Sequence, residues 1–440
     1  MAFCIIYTVL NSFIVITMTQ SPTNTTPPNS EDDISKHLSA SCNDFTKNLY
    51  KELSSDSRGN VVNSPLGIHM ILSYLSHGAE STTLNELTKS LYHYDKDSIQ
   101  EGYRSLITQL NELGDIKLYI ANSIYIQDEF ELLTEFLTIG REFYKSEISK
   151  IDFKNIDAAE KINSWVKQKT NNKISNLVSS DDFDENIKLV LINAIYFNGS
   201  WLNTFNAKNT NDKIFHVTRD QTKLVPTMFN KSQYNYSNIP ILQAKFIEIP
   251  YTNTDIVMII ILPNEIDGLL NLQTNFSWEI LTNASRLYGE IELYLPKFKI
   301  EFTVDLKNIL SKLGVSKMFS RDANFKRISS VPLMVNKILH KAVIEINEEG
   351  TEAAAATGDL NFQDNETIFY LHFCMMKLCF LLTLFILAVH LRLRRSMANE
   401  PKQFLVDRPF MFVIEYKPKN IPLFIGSVQD IGIASQKDEL

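Results

Sequence analysis

Three clusters of residues in this 440-residue chain are of types and spacings that could take part in chemistry, and all lie in its C-terminal quarter. Arg392-Leu393-Arg394-Arg395-Ser396 matches the pattern cut by furin-like proprotein convertases, whose acidic clefts pair several guanidinium groups at fixed spacing. Trypsin-like proteases would also accept Arg395. The same cluster reads equally as a basic flank to the apolar stretch before it, or as chance. The second cluster is Glu348-Glu349-Gly350-Thr351-Glu352, followed by Ala353, Ala354, Ala355, Ala356 and Thr357. As a helix this is an ordinary segment. As a strand it turns the small residues Thr351, Ala353, Ala355 and Thr357 inward and Glu352, Ala354 and Ala356 outward. Small inward side chains let a strand slide between two others, and Gly350 supplies backbone freedom to start the turn. No charge or proline blocks an inward position of that run. The third cluster is Lys437-Asp438-Glu439-Leu440, the form of an endoplasmic-reticulum retention address read by a receptor.

No motif supports an enzyme. There is no nucleophile elbow, and no His/Cys group at metal-ligand spacing, so neither a metal nor a cofactor is expected. Cys4, Cys42, Cys374 and Cys379 do not suggest a disulfide framework, and a core this large needs none. The net charge of −8 argues against nucleic acid as a partner. Ala2 to Met18 is apolar and the length of a signal-peptide core, so residues 1–18 are read as a signal peptide. Residues 19–33, polar and Pro-rich, are read as a disordered leader. Sequons at Asn24, Asn198, Asn230, Asn235, Asn275, Asn283 and Asn365 fit a lumenal chain.

The elements that would carry these clusters follow from periodicity. Ile34 to Leu53 has helical spacing, and Asn63-Ser64-Pro65 caps a second helix from Leu66 to Ser76. Ala158 to Leu177 and Val304 to Leu313 also read as helices. Lys117 to Gln127 and Leu189 to Phe197 are near-continuous apolar runs, hence buried strands. Ile247 to Tyr251, Ile256 to Leu262, Glu290 to Phe298, His340 to Asn347, Phe410 to Tyr416 and Leu423 to Val428 read as further strands. Helices early and strands late predict an α+β architecture with large mixed sheets.

Ordered strings along the chain resemble the serpin family. They include Asn63-Ser64-Pro65-Leu66, Ile162-Asn163-Ser164-Trp165-Val166, and the run from Leu191 to Trp201. Val225-Pro226-Thr227-Met228, Leu295-Pro296-Lys297-Phe298 and His340-Lys341-Ala342 follow. Asn347 to Thr357 is similar to the family's hinge, and Asp407-Arg408-Pro409-Phe410 with Pro422-Leu423-Phe424-Ile425-Gly426 is similar to its C-terminal signature. The resemblance implies a serpin domain over residues 34–435, with hinge and reactive loop at 348–408 and a retention tail at 436–440. It implies a monomeric, non-enzymatic inhibitor that forms a covalent complex with a serine protease. The protease attacks a bait bond and is carried across the molecule as the loop inserts. Arg395-Ser396, flanked by Arg392 and Arg394, is the candidate bait. With the retention tail, this places the protein in the endoplasmic-reticulum lumen, outside the cell, or both.

One segment departs from the family pattern. From Gly350 to Pro409 is 59 positions, where the family takes about 25 at ~3.3 Å each. Thr367 to Leu391 is apolar enough to span a bilayer. A transmembrane helix there is disfavoured, because strands after Pro409 must pair with strands made before Glu348. A surface-bound apolar hairpin is a second reading. The favoured third is retained intron or gene-model sequence over about 359–391. Removing roughly Asp359 to Val389 sets Arg395 about fifteen residues beyond Gly350, one strand's length on. If the segment is real, slack before Arg395 should let the protease finish hydrolysis. Two other functions stay open: a non-inhibitory serpin working as a lumenal chaperone or carrier, and a membrane-tethered protein.

Overall fold

The computed structural model describes residues 31–57, 59–93, 95–351 and 402–432. Its helices are α1 (Glu31–Asp56), α2 (Pro65–Gly78), α3 (Ser81–Ser90), α4 (Lys96–Asn111), α5 (Thr134–Ile139), α6 (Ala158–Lys169), α7 (Leu269–Asn275), α8 (Trp278–Asn283) and α9 (Lys307–Lys312). Its strands are β1 (Val61–Asn63), β2 (Lys117–Gln127), β3 (Glu147–Ile151), β4 (Leu189–Ser200), β5 (Asn211–His216), β6 (Thr222–Ile239), β7 (Ala244–Pro250), β8 (Ile256–Pro263), β9 (Leu287–Pro296), β10 (Phe298–Asp305), β11 (Lys337–Ile346), β12 (Gly350–Thr351), β13 (Lys402–Leu405), β14 (Phe410–Tyr416) and β15 (Ile421–Val428).

These strands form two sheets. One runs β1-β15-β14-β8-β7-β6-β9-β13, with β5 on β6; the other runs β10-β11-β12-β4-β2-β3. The second carries the slot described below. Its strand β4 is buried on both faces, which is why its sequence is a continuous apolar run. Leu189, Leu191, Ile195 and Phe197 face the main core between the sheets. Val190, Ile192, Ala194 and Tyr196 face a smaller core closed by Ile162 and Val166 of α6.

The helix α2 begins as its sequence predicts. Ser64 is extended and its hydroxyl accepts from the Gly67 amide, with Pro65 in the first turn. Strands β2 and β14 match their predicted limits. Four expectations are corrected. Residues 31–33 belong to α1, where Glu31, Asp32 and Asp33 complement the positive end of the helix. The helix from Ala158 stops at Lys169, because Asn171 and Asn172 take left-handed φ values of 50° and 63° and Thr170 turns its hydroxyl back to Val166 O. Glu290 to Phe298 is not one strand: Lys297 hands the chain from β9 in one sheet to β10 in the other. Val304 and Asp305 end β10, so the following helix begins at Lys307. Residues 1–30, with the signal-peptide reading, and the apolar stretch 359–391 lie outside the described residues. Among the described residues no helix is long and apolar enough to cross a membrane.

Candidate functional site

Strands β4 and β11 run parallel and pair directly from Lys337 opposite Val190 to Val343 opposite Tyr196. Above Val343 they part, and β12 fills the gap. Gly350 lies opposite Ser200 and Thr351 opposite Gly199 on β4, while Thr351 also meets Ile346 of β11. Gly350 and Thr351 therefore already occupy the top of a slot whose lower part is closed by β4–β11 pairing.

A tight turn delivers it there. Asn347 Oδ1 accepts from the amides of Glu349 and Gly350 at 3.0 and 3.1 Å. The Asn347 amide donates to Gly350 O, Trp201 N to Glu349 O, and Phe205 N to Glu348 O. The Trp201 indole donates to Asn347 O at 3.0 Å. Gly350 is needed for a different reason from the one its sequence suggests. Its φ is not in the left-handed region. Instead, a Cβ there would stand 2.1 Å from Gly199 O and 2.7 Å from Ser200 Cα. Close approach to β4, not freedom to turn, requires glycine.

Thr351 faces the main core and is fully buried, and its hydroxyl shares a 2.6 Å hydrogen bond with Tyr251. Tyr251 stacks on Trp201 at 4.6 Å and meets Phe197 edge-on at 5.0 Å. Burial pushes the Tyr251 phenol well above its ordinary range. Glu348 is held by Lys297 Nζ at 2.8 Å and by the Thr210 hydroxyl at 2.8 Å. Burial opposes ionisation of this carboxyl, but Lys297 and Thr210 outweigh it and keep the group below its usual range.

Midway down, a polar chain bolts the slot shut. His340 Nδ1 donates to Asn193 Oδ1 at 2.6 Å, across the register pair that joins β11 to β4. The Ser64 amide donates to His340 Nε2 at 3.4 Å. Asn193 donates to Asn122 Oδ1 at 2.5 Å, and Asn122 to Gly67 O at 3.3 Å. A Cβ on residue 67 would meet Asn193 Nδ2 at 2.6 Å, so Gly67 makes room for this chain. Complete burial lowers His340 to about 3, so the ring is neutral, as its two bonds require.

Of the predicted site residues, Glu348, Glu349, Gly350 and Thr351 are brought together here. Glu352, Ala353, Ala354, Ala355, Ala356 and Thr357, the Arg392, Arg394, Arg395 and Ser396 cluster, and the tail residues 437–440 lie outside the described residues. Sequence reasoning assigned no role to Trp201, Lys297, Asn193 or His340, although each sits in a string that carries the family resemblance. Tyr251 was visible only as the end of an apolar strand. Among the described residues no group of His, Cys, Asp and Glu is placed to hold a metal, and Cys42 is a buried free thiol.

The chain matches the family described as Serpin (serine protease inhibitor) over residues 40–431. It is 38% identical to alaserpin of Manduca sexta over 336 residues, covering 74% of this chain and 85% of that protein. It is 32% identical to leukocyte elastase inhibitor of Bos taurus, covering 89% of this chain and 98% of that protein. Among solved structures it superposes on Serpin48 of Tenebrio molitor with a TM-score of 0.78 at 30% identity, covering 92% of this chain and 100% of that one. Uncleaved ovalbumin is also similar, with a TM-score of 0.74 at 26% identity, covering 89% and 99%.

Proposed function

Because the chain belongs to the serpin family, we propose that it is a suicide-substrate inhibitor of a basic-specific serine protease, trypsin-like or furin-like, acting in the secretory pathway. The observation that carries this reading is the seating of Gly350 and Thr351 in the slot between β4 and β11. Paired residues of β12 and β4 number 550 together, so the same register continued downward sets Ala353 against Phe197, Ala355 against Ile195 and Thr357 against Asn193. All three would face the main core, where small side chains fit beside β4 with little displacement. Thr357 would arrive at the His340–Asn193 bolt with a hydroxyl able to replace a lost hydrogen bond.

In this reading the protease serine attacks the Arg395 carbonyl and the Arg395–Ser396 bond breaks. Ser396 leaves as a new amino terminus, and Arg395 stays esterified to the protease. Insertion of the freed strand then drags the acyl-enzyme away before water can cleave the ester. The register ends at Leu189, opposite position 361. With residues 359–389 absent, Arg395 falls three positions past that end; with them present it is 34 residues past it. The retention tail and the apolar N-terminal segment support a lumenal location.

The test is to mix trypsin or a convertase with two versions of the chain, as written and lacking residues 359–389. The shortened chain should give a detergent-stable complex and lose protease activity in proportion. The full chain should be cut while the protease stays active. A shortened chain that is cut after Arg395 without trapping its attacker would refute inhibition. The length of the 350–409 connection favours a second reading for the chain as written, a non-inhibitory lumenal chaperone or binding protein.

A further inference from the structure

The sequons differ sharply in what their asparagines already do in the fold. Asn198 lies in β4, half-buried and two residues from Ser200 at the top of the slot. By the register above it would stand beside Glu352 of an entering strand. The Asn230 amide donates to two carbonyls, Asn203 O at 3.1 Å and Thr204 O at 2.9 Å. The Asn235 amide donates at 3.0 Å to the carboxylate of Glu248, a buried residue that also pairs with Arg286 at 2.8 Å. A sugar on Asn230 would replace one of those hydrogens. A sugar on Asn235 would be driven toward the buried carboxylate of Glu248 and its Arg286 partner. Asn275 is exposed, yet its amide turns back to Asn271 O and Oδ1, both at 2.9 Å.

Asn283 differs from these four. It is exposed at the C-terminal end of α8, and among the described residues its side-chain amide makes no hydrogen bond. The short helix it ends is anchored by other residues. Trp278 and Leu281 are buried, and the Trp278 indole donates to Asn420 O at 3.2 Å. The following sequon serine, Ser285, is also exposed, within hydrogen-bond distance of Ser237 at 3.3 Å.

We propose that Asn283 is the N-glycan acceptor of the folded domain, and that Asn230 and Asn235 are bare in the native protein. This rests on the secretory reading above. Attachment precedes folding, so a sugar placed on Asn230 or Asn235 obstructs the fold, whereas one on Asn283 projects into solvent. It also leaves β4, β11 and β12 unobstructed, so a glycosylated chain keeps its slot.

The experiment expresses the full chain in secretory cells in two forms, behind its own first residues and behind a standard secretory leader. Glycopeptide mass spectrometry is run on the soluble monomeric fraction, with Asn283→Gln in parallel. In the forced-entry form, the expected result is a glycan on Asn283, removed by peptide-N-glycosidase, with Asn230 and Asn235 unmodified. The Asn283→Gln protein should lose that one glycan's mass and unfold at the same temperature. A bare Asn283 in the forced-entry form, or glycans on Asn230 or Asn235 in folded monomer, would overturn the proposal. Absence of glycan only behind the chain's own first residues would count against secretory entry and leave Asn283 judged by the other form.

Discussion

Acidification should destabilise this protein between pH 7 and 5.5, through histidines enclosed without a carboxylate partner. His69, in α2, lies between α1, α4 and the segment after α3. Its Nε2 reaches Leu91 O and Ser41 Oγ, both at 3.0 Å, and its Nδ1 meets the Tyr103 hydroxyl. His93 stands 5.2 Å from it, ring to ring, with an Nδ1 that has no partner. His77 bonds the Tyr144 hydroxyl at 3.0 Å. The charged groups near them are cations: Lys96 and Arg327 face His77, and Lys96 faces His93. Burial lowers His69 to about 4, and His77 and His340 to about 3, from an ordinary 6.5, and it holds His93 well below that ordinary value too.

A histidine with a lowered folded value takes its proton first in the unfolded chain. Its contribution is therefore intact above 6.5 and is lost as pH falls through that value toward the folded one. At pH 5.5 each of the three costs somewhat more than ~1 kcal/mol relative to pH 7, roughly 4 kcal/mol together. Glu415 works the other way. Burial and the nearby Glu248 raise it to about 7, so protonation in the fold returns about 2 kcal/mol over the same window. The net loss is about 2 kcal/mol, to which His93 adds. For a domain of this size that lowers the unfolding midpoint by roughly 3–5 °C. Scanning calorimetry at pH 7.0, 6.25 and 5.5 reads it directly, and His77→Phe should remove about a third to a half of the net slope. A midpoint that is flat or rises on acidification would mean that these rings are charged in the fold, and the reasoning would fail.

Other perturbations test the slot. Gly350→Val places branched carbons against Gly199 O, where a single Cβ already stands 2.1 Å away; β12 should be expelled, seen as faster proteolysis near Glu349 and amide exchange at Ser200. Thr351→Val strands the buried Tyr251 hydroxyl and should cost about 1–3 kcal/mol, while adding Tyr251→Phe should restore most of it; additive losses in that double-mutant cycle would deny the bond. Lys297→Met should cost about 1 kcal/mol, because the lysine side chain is 40% exposed beside a Glu348 side chain that is 13% exposed. That loss should shrink in high salt, and a salt-independent loss would point to packing instead.

Most strands were legible because β2, β4, β8 and β14 are central and buried, and such strands write themselves as apolar runs. Ser64 and Pro65 marked the start of α2 because capping is local chemistry. The break at Lys297 was not legible. Leu295-Pro296-Lys297-Phe298 keeps its alternation, and only the two sheets decide that the chain changes partners there. The site was half legible. The small residues after Gly350 advertise a strand that can enter a sheet, but the reason for Gly350 lies in the Gly199 carbonyl opposite, 151 positions away. Tyr251 and Lys297 could not be assigned to the hinge, because nothing local tells Tyr251 that Thr351 will arrive beside it.

Both ends of the stretch from 352 to 401 are fastened to one piece of chain. At its start, Glu348 is pinned by Lys297. At its finish, Leu405 of β13 lies opposite Tyr294 of β9, three residues before that lysine. The gap to be closed is thus fixed by a rigid post, whatever the length between. Lengthening a connection from about 25 to about 59 residues raises its closure cost by less than ~1 kcal/mol. Folding is nearly blind to such an addition, while a device that works by pulling its captive taut is not. On the inhibitory reading proposed above, a chain carrying the extra stretch would fold as compactly as one without it and yet fail to hold what bites it.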